Sequence, residues 1–221
     1  MESYFLLVTL HVILFAYWLG GDFGVYVCSR YIARPDLSLP ERERFLEALL
    51  AIDVLPRSAI VLLPAVGLQL AAMRGSVSFD PGVMPLVWLI ALAWLGVVLM
   101  AYRTRRLPQG RLWQRIDVSW RVLLIAGLWL AAILTVVNDW PLNADWLAAK
   151  LVVYSALLML GLYLRVTIQD WKKGFMRLHQ GESGPAVDAL FIDARRRAKY
   201  AAFMFWTLIG LMAWLGIRQP F

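Results

Sequence analysis

Cysteine occurs once and histidine twice in 221 residues, and charged residues make up only 17% of the chain. The single cysteine, Cys28, excludes an intrachain disulfide and any paired-cysteine metal or redox motif. Acidic residues are outnumbered 15 to 22 by lysine and arginine, for a formal charge of +7. In a soluble domain such an excess points towards nucleic acid. Here the basic residues sit in a few short clusters between long apolar runs, so nucleic acid is excluded as a partner. A cleavable signal is also missing. The first apolar run follows Met1 and Glu2 with no basic segment ahead of it and is too long for a signal core, so it reads as a mature membrane span.

Apolar residues fill what is left. They make up 61% of the sequence, where a soluble domain has about half, and the mean hydropathy is +0.65. Eleven tryptophans and an aromatic share of 13% fit the aromatic belts of membrane interfaces. A helix needs about 20 apolar residues to cross a bilayer. Six stretches qualify: Tyr4–Tyr26, Val54–Met73, Met84–Tyr102, Val118–Asn138, Trp146–Val166 and Tyr200–Ile217. The expected fold is all-α, a polytopic membrane bundle of six transmembrane helices forming a single integral membrane domain over residues 1–221.

Charge sets the orientation. The loop after span one carries Arg30, Arg34, Arg42 and Arg44, and the loop after span three carries Arg103, Arg105, Arg106, Arg111 and Arg115. The segment after span five carries Lys172, Lys173, Arg177, Arg195, Arg196, Arg197 and Lys199. The loop after span two offers only Arg74, and Asn138–Asp145 has no positive residue. Basic loops stay cytoplasmic, which places both termini outside, on the periplasmic side of a bacterial inner membrane. Two of the basic segments read as helical. Leu39-Pro40 leads into an interfacial helix to Leu50. Residues 167–199 form a cytoplasmic helical segment, in which span five continues past Arg165 to about His179 and ends at Gly181. Ser183-Gly184-Pro185 then restarts a helix that runs directly into span six, with proline in the first turn where no N–H is needed.

A weak repeat links two spans. Ile52-Asp53-Val54 with Arg57 is echoed by Ile116-Asp117-Val118 with Arg121, and Gly67-Leu68-Gln69-Leu70-Ala71-Ala72 by Gly127-Leu128-Trp129-Leu130-Ala131-Ala132. Spans one–two and three–four are therefore candidates for related hairpins. Asp53 with Arg57, and Asp117 with Arg121, are i,i+4 pairs expected to serve as charge-paired anchors near the inner interface. Asp22 reaches the same level and has Arg57 or Arg121 as potential partners, or alternatively a proton-relay role.

Ionisable groups inside spans are costly and are functional candidates by default. His11 and Asp22 lie eleven residues apart in span one, close to a whole number of turns at about 100° per residue. Trp18 falls roughly on the same stripe. Lys150 sits about one turn into span five at the depth of His11, with Tyr154 one turn deeper; it either snorkels to the interface or points inward. His179 lies in a basic segment on the opposite side of the membrane from His11. A bis-histidine haem within one chain is therefore excluded. His11 remains either a structural hydrogen-bonding group or a ligand, with Lys, Met or nothing opposite it, since axial ligands vary.

Leu10-His11 followed by Trp18-Leu19-Gly20-Gly21 in span one, and Trp146-Leu147-Ala148-Ala149-Lys150-Leu151 in span five, resemble helices of the membrane-embedded, haem-containing protoporphyrinogen oxidases. The first motif is also similar to the copper-resistance D-type membrane domains, and Ile52–Ala72 is similar to the second helix of both groups. The resemblance implies haem b as cofactor, with His11 and Lys150 as the essential pair, catalytic and cofactor-binding. His11 would be the metal ligand, and Trp18 and Tyr154 pocket walls. It further implies oxidation of a porphyrinogen, with a quinone taking the electrons. Two classes stand beside this haem-dependent oxidoreductase reading. One is a copper-handling or small-solute transporter gated by Asp22 and the Asp–Arg pairs. The other is a non-catalytic assembly subunit that docks through its basic segment. The expected partners are the lipid bilayer, a porphyrin or quinone, and a second copy of the chain in a homo-oligomer.

Overall fold

A computed structural model describes residues 2–220. The chain is 84% helical, and the described residues form no strand. Eight α-helices follow in order: α1 (Glu2–Ile32), α2 (Leu39–Ile52), α3 (Val54–Met73), α4 (Met84–Arg103), α5 (Gly110–Asn138), α6 (Asp145–Thr167), α7 (Gln169–His179) and α8 (Pro185–Arg218). The six expected spans fall within α1, α3, α4, α5, α6 and α8. All six helices are long and apolar enough to cross a membrane, α3 and α6 being continuous in this respect with α2 and α7. Large apolar side chains such as Phe5, Leu6, Val12, Leu123 and Val136 stay exposed around them. Such a girdle is a liability in water and a requirement in lipid.

The long helices form a closed ring in which α1 packs on α3, α3 on α4, α4 on α5, α5 on α6, α6 on α8 and α8 back on α1. Small residues let the first pair approach closely. A Cβ on Gly21 of α1 would lie 2.7 Å from the ring of Pro56 on α3, and one on Gly24 would lie 3.2 Å from Ile52. The same proline separates α2 from α3, because its ring clashes with the carbonyl four residues back and leaves Asp53 at the junction.

One end of the ring gathers the termini and the poorly charged loops. There Asn143 donates to the Gly75 carbonyl at 3.0 Å, Ser78 N–H donates to the Pro141 carbonyl at 2.8 Å, and Arg74 lies over the Tyr4 ring. The opposite, basic end is capped by α2, α7 and the first turns of α8 around Ile32, Leu49, Trp171, Phe175, Val187 and Phe191. Arg42 is buried in this cap, 3.1 Å from Asp188 and over the Phe191 ring. Glu47 on α2 takes Arg105 and Arg106 from the far side of the ring at 2.9 and 2.8 Å.

The basic end departs from expectation in two places. The helix leaving span five is interrupted for one residue at Ile168, and α7 beyond it packs on α8, where the Trp171 indole donates to the Phe191 carbonyl at 3.2 Å. The stop at Gly181 and restart at Pro185 do occur, with Gly181 at φ +80° and Gly184 at φ +112°, conformations that favour glycine. In addition, α5 begins at Gly110, eight residues before the expected start of span four at Val118. Its polar first turns continue the helix and carry Asp117 into the bundle.

Candidate functional site

His11 lies on α1 in the half of the bundle towards the termini. Its imidazole rests on α3 at Gly67, where a Cβ would lie 3.5 Å from Cε1, and its buried Nδ1 has no hydrogen-bond partner among the described residues. Lys150 on α6 is half-buried and turns towards α8. Its ammonium lies against Gly216, where a Cβ would come within 2.5 Å of Nζ, and 5.5 Å from the centre of the Trp146 ring. The two sequence candidates therefore lie in the same half of the bundle but on different helix seams, His11 against α3 and Lys150 against α8.

Trp18 and Tyr154 lie deeper, in the central apolar core with Ile60, Leu157, Phe205 and Ile209. The Trp18 ring meets Phe205 of α8 edge-on, with centroids 5.8 Å apart. The Tyr154 phenol donates to the Ile60 carbonyl of α3 at 2.6 Å. Both bind helix to helix, and Trp18 faces a cavity on the basic side rather than the level of His11.

That cavity, of about 130 Å³, opens among α1, α3, α5, α6 and α8. Asp22, Asp53, Arg57, Arg121 and Arg165 line it beside Trp18 and Phe205. Asp53 pairs with Arg57 and Asp117 with Arg121, as the i,i+4 spacing predicts. The second pair is the more deeply buried of the two. Asp117 and Arg121 are 1% and 4% exposed, inside the ring on α5. Asp117 also takes the Trp94 indole N–H at 2.8 Å and an ion pair from Arg165. One carboxylate thus joins α4, α5 and α6 and is shared by two guanidiniums. Asp22 makes no ion pair among the described residues, with Arg57 or with Arg121. It faces the cavity half-buried, with the Trp206 indole nearby but outside hydrogen-bond geometry.

Sequence reasoning missed Trp94 and Arg165. Arg165 reads as an ordinary cation at a helix end, and nothing local ties either residue to Asp117. Among the described residues, no three His, Cys, Asp or Glu side chains gather as a metal-ion site. Compared with protein-family models, curated proteins and solved structures, the chain matches none of them.

Proposed function

We propose that this chain is a haem-b-binding integral membrane redox protein, oriented with both termini outside and the basic end in the cytoplasm of a bacterial inner membrane. The orientation rests on the charge asymmetry of the loops. The cofactor reading rests on one observation: the buried Nδ1 of His11 is left without a partner. Buried polar groups in native proteins are almost always satisfied, so an orphan of this kind marks a place where another group belongs. Gly216 adds a second mark, because the space a Cβ would fill is given over to the Lys150 ammonium.

In this reading His11 and Lys150 hold the haem, His11 as ligand and Lys150 as second ligand or as counter-charge to a propionate. Haem bound there supplies one-electron redox chemistry. Gly67 seats the imidazole from behind, and the apolar core around Trp18 and Tyr154 keeps water from the site. The resemblance of the His11 and Lys150 segments to haem-containing oxidases makes a porphyrinogen the substrate class to test and a quinone the acceptor.

An absorption spectrum of the detergent-purified protein, oxidised and then reduced with dithionite, tests the proposal. A Soret band that sharpens on reduction, is lost in His11→Ala and persists in His179→Ala supports it. Protein from a haem-replete host that carries no porphyrin overturns it. A second reading, transport of a small solute or proton through the basic-end cavity, draws on Asp22, a carboxylate facing that cavity without an ion-pair partner among the described residues. A haem-free protein whose uptake activity in vesicles is abolished by Asp22→Asn would favour it.

A further inference from the structure

At the basic end, a second cavity of about 350 Å³ lies between the end of α1 and the early turns of α8. Arg30, Arg34 and Arg195 line it, together with Tyr31, Pro35 and Ile192. Three arginines thus share one lining, and no carboxylate residue is part of it. Arg34 is paired with Asp36. The nearby Asp193 is turned away to Arg196 at 3.0 Å. Arg30 and Arg195 have no ion-pair partner among the described residues, and the buried Nε of Arg195 has no hydrogen-bond partner there. The walls are held in place: Tyr31 stacks on Phe45 with centroids 4.5 Å apart, and Arg195 lies 5.6 Å from the Tyr26 ring.

Two of the three, Arg30 and Arg195, are unpaired, and like charges on one cavity wall favour an anion there. Arginine's planar fork of donors suits the oxygens of phosphate in particular. The cavity opens where α1 leaves its apolar stretch, beside the partly exposed Tyr31. If the long helices span the bilayer, this is headgroup depth.

We propose that Arg30, Arg34 and Arg195 form a binding site for a phosphate-bearing anion, the headgroup of an anionic phospholipid being the source that its depth favours. The inference is independent of the haem reading, since the site lies at the opposite end of the bundle from His11.

The test uses the full chain in detergent, with native mass spectrometry to count bound phosphatidylglycerol against phosphatidylcholine. Three proteins are compared: wild type, Arg30→Gln/Arg195→Gln, and Arg111→Gln/Arg115→Gln as a charge-matched control on α5. Phosphatidylglycerol is expected to bind wild type and the control equally, and to bind the Arg30/Arg195 variant about tenfold more weakly or worse. The single variant Arg30→Gln, at an exposed position, should show an intermediate loss and guards against misfolding of the double variant. Competition by inorganic phosphate would assign the site to a soluble phosphate compound; failure to compete would assign it to lipid. Equal binding of phosphatidylcholine, or equal losses in the control, would overturn the proposal by showing a non-specific surface.

Discussion

Tyr154 on α6 repairs a defect that Pro64 makes in α3. Proline supplies no N–H, so the Ile60 carbonyl one turn earlier lacks its usual helical donor. The Tyr154 phenol donates to that carbonyl at 2.6 Å across the bundle core. The two residues thus pin α6 to α3 between the level of His11 and the charged cavity.

The pairing makes a double-mutant prediction. Tyr154→Phe leaves the carbonyl unsatisfied and should cost about 1 kcal/mol of stability, in the range of hydrogen bonds between membrane helices. Pro64→Ala restores an N–H, so the same tyrosine change in that background should cost clearly less. Thermal unfolding of the four proteins in detergent measures the coupling, and equal costs in both backgrounds would refute the link.

Two adjacent glycines should behave oppositely. A Cβ at Gly21 meets the rigid Pro56 ring at 2.7 Å, whereas one at Gly20 meets nothing within 4 Å. Gly21→Ala should destabilise by about 1–3 kcal/mol through overpacking. Gly20→Ala should be neutral or stabilising by up to about 1 kcal/mol. Comparing their melting temperatures checks the α1–α3 contact directly.

Removing Asp117 should be worse than removing either arginine. Asp117→Asn strands the buried Arg121 and the partly exposed Arg165 and should cost about 3–5 kcal/mol. Arg165→Gln leaves the Asp117–Arg121 pair intact and should cost less. Adding Arg165→Gln to Asp117→Asn should recover part of the loss. Expression level and unfolding temperature report all three, and an additive double variant would contradict the shared-carboxylate arrangement.

The proposed orientation is open to labelling. In a Cys28→Ser background, Asn143→Cys and Ser183→Cys place single thiols at exposed positions in two loops at opposite ends of the bundle. A membrane-impermeant maleimide should reach the first in intact cells and the second only after lysis. The reverse pattern would invert the assignment.

Much of the architecture was legible in one dimension. Crossing length and loop charge are sums over neighbouring residues, which is why Val54–Met73 coincides with α3 and the Gly181 and Pro185 boundaries fall where expected. The pairs Asp53–Arg57 and Asp117–Arg121 were equally readable, because i,i+4 spacing on a helix is local geometry. The interruption at Ile168 was not, since no proline or glycine marks it, and the contact that holds α7 beyond it, Trp171 to the Phe191 carbonyl, is distant in sequence. Nor was the early start of α5, whose polar first turns resemble a loop when only apolar length is counted.

The amino-acid sequence by itself therefore determined that six helices of this chain are long and apolar enough to cross a membrane, and which polar residues they carry. Tertiary structure alone decided which of those groups meet. Trp94 and Arg165 reach Asp117 from 23 and 48 residues away, Asp22 faces a cavity without an ion-pair partner among the described residues, and Lys150 lies against α8 while His11 lies against α3. Span formation depends on local transfer of apolar side chains into lipid. The meeting of buried charges depends on how rotated helices close into a ring, and no local property of the chain encodes that rotation.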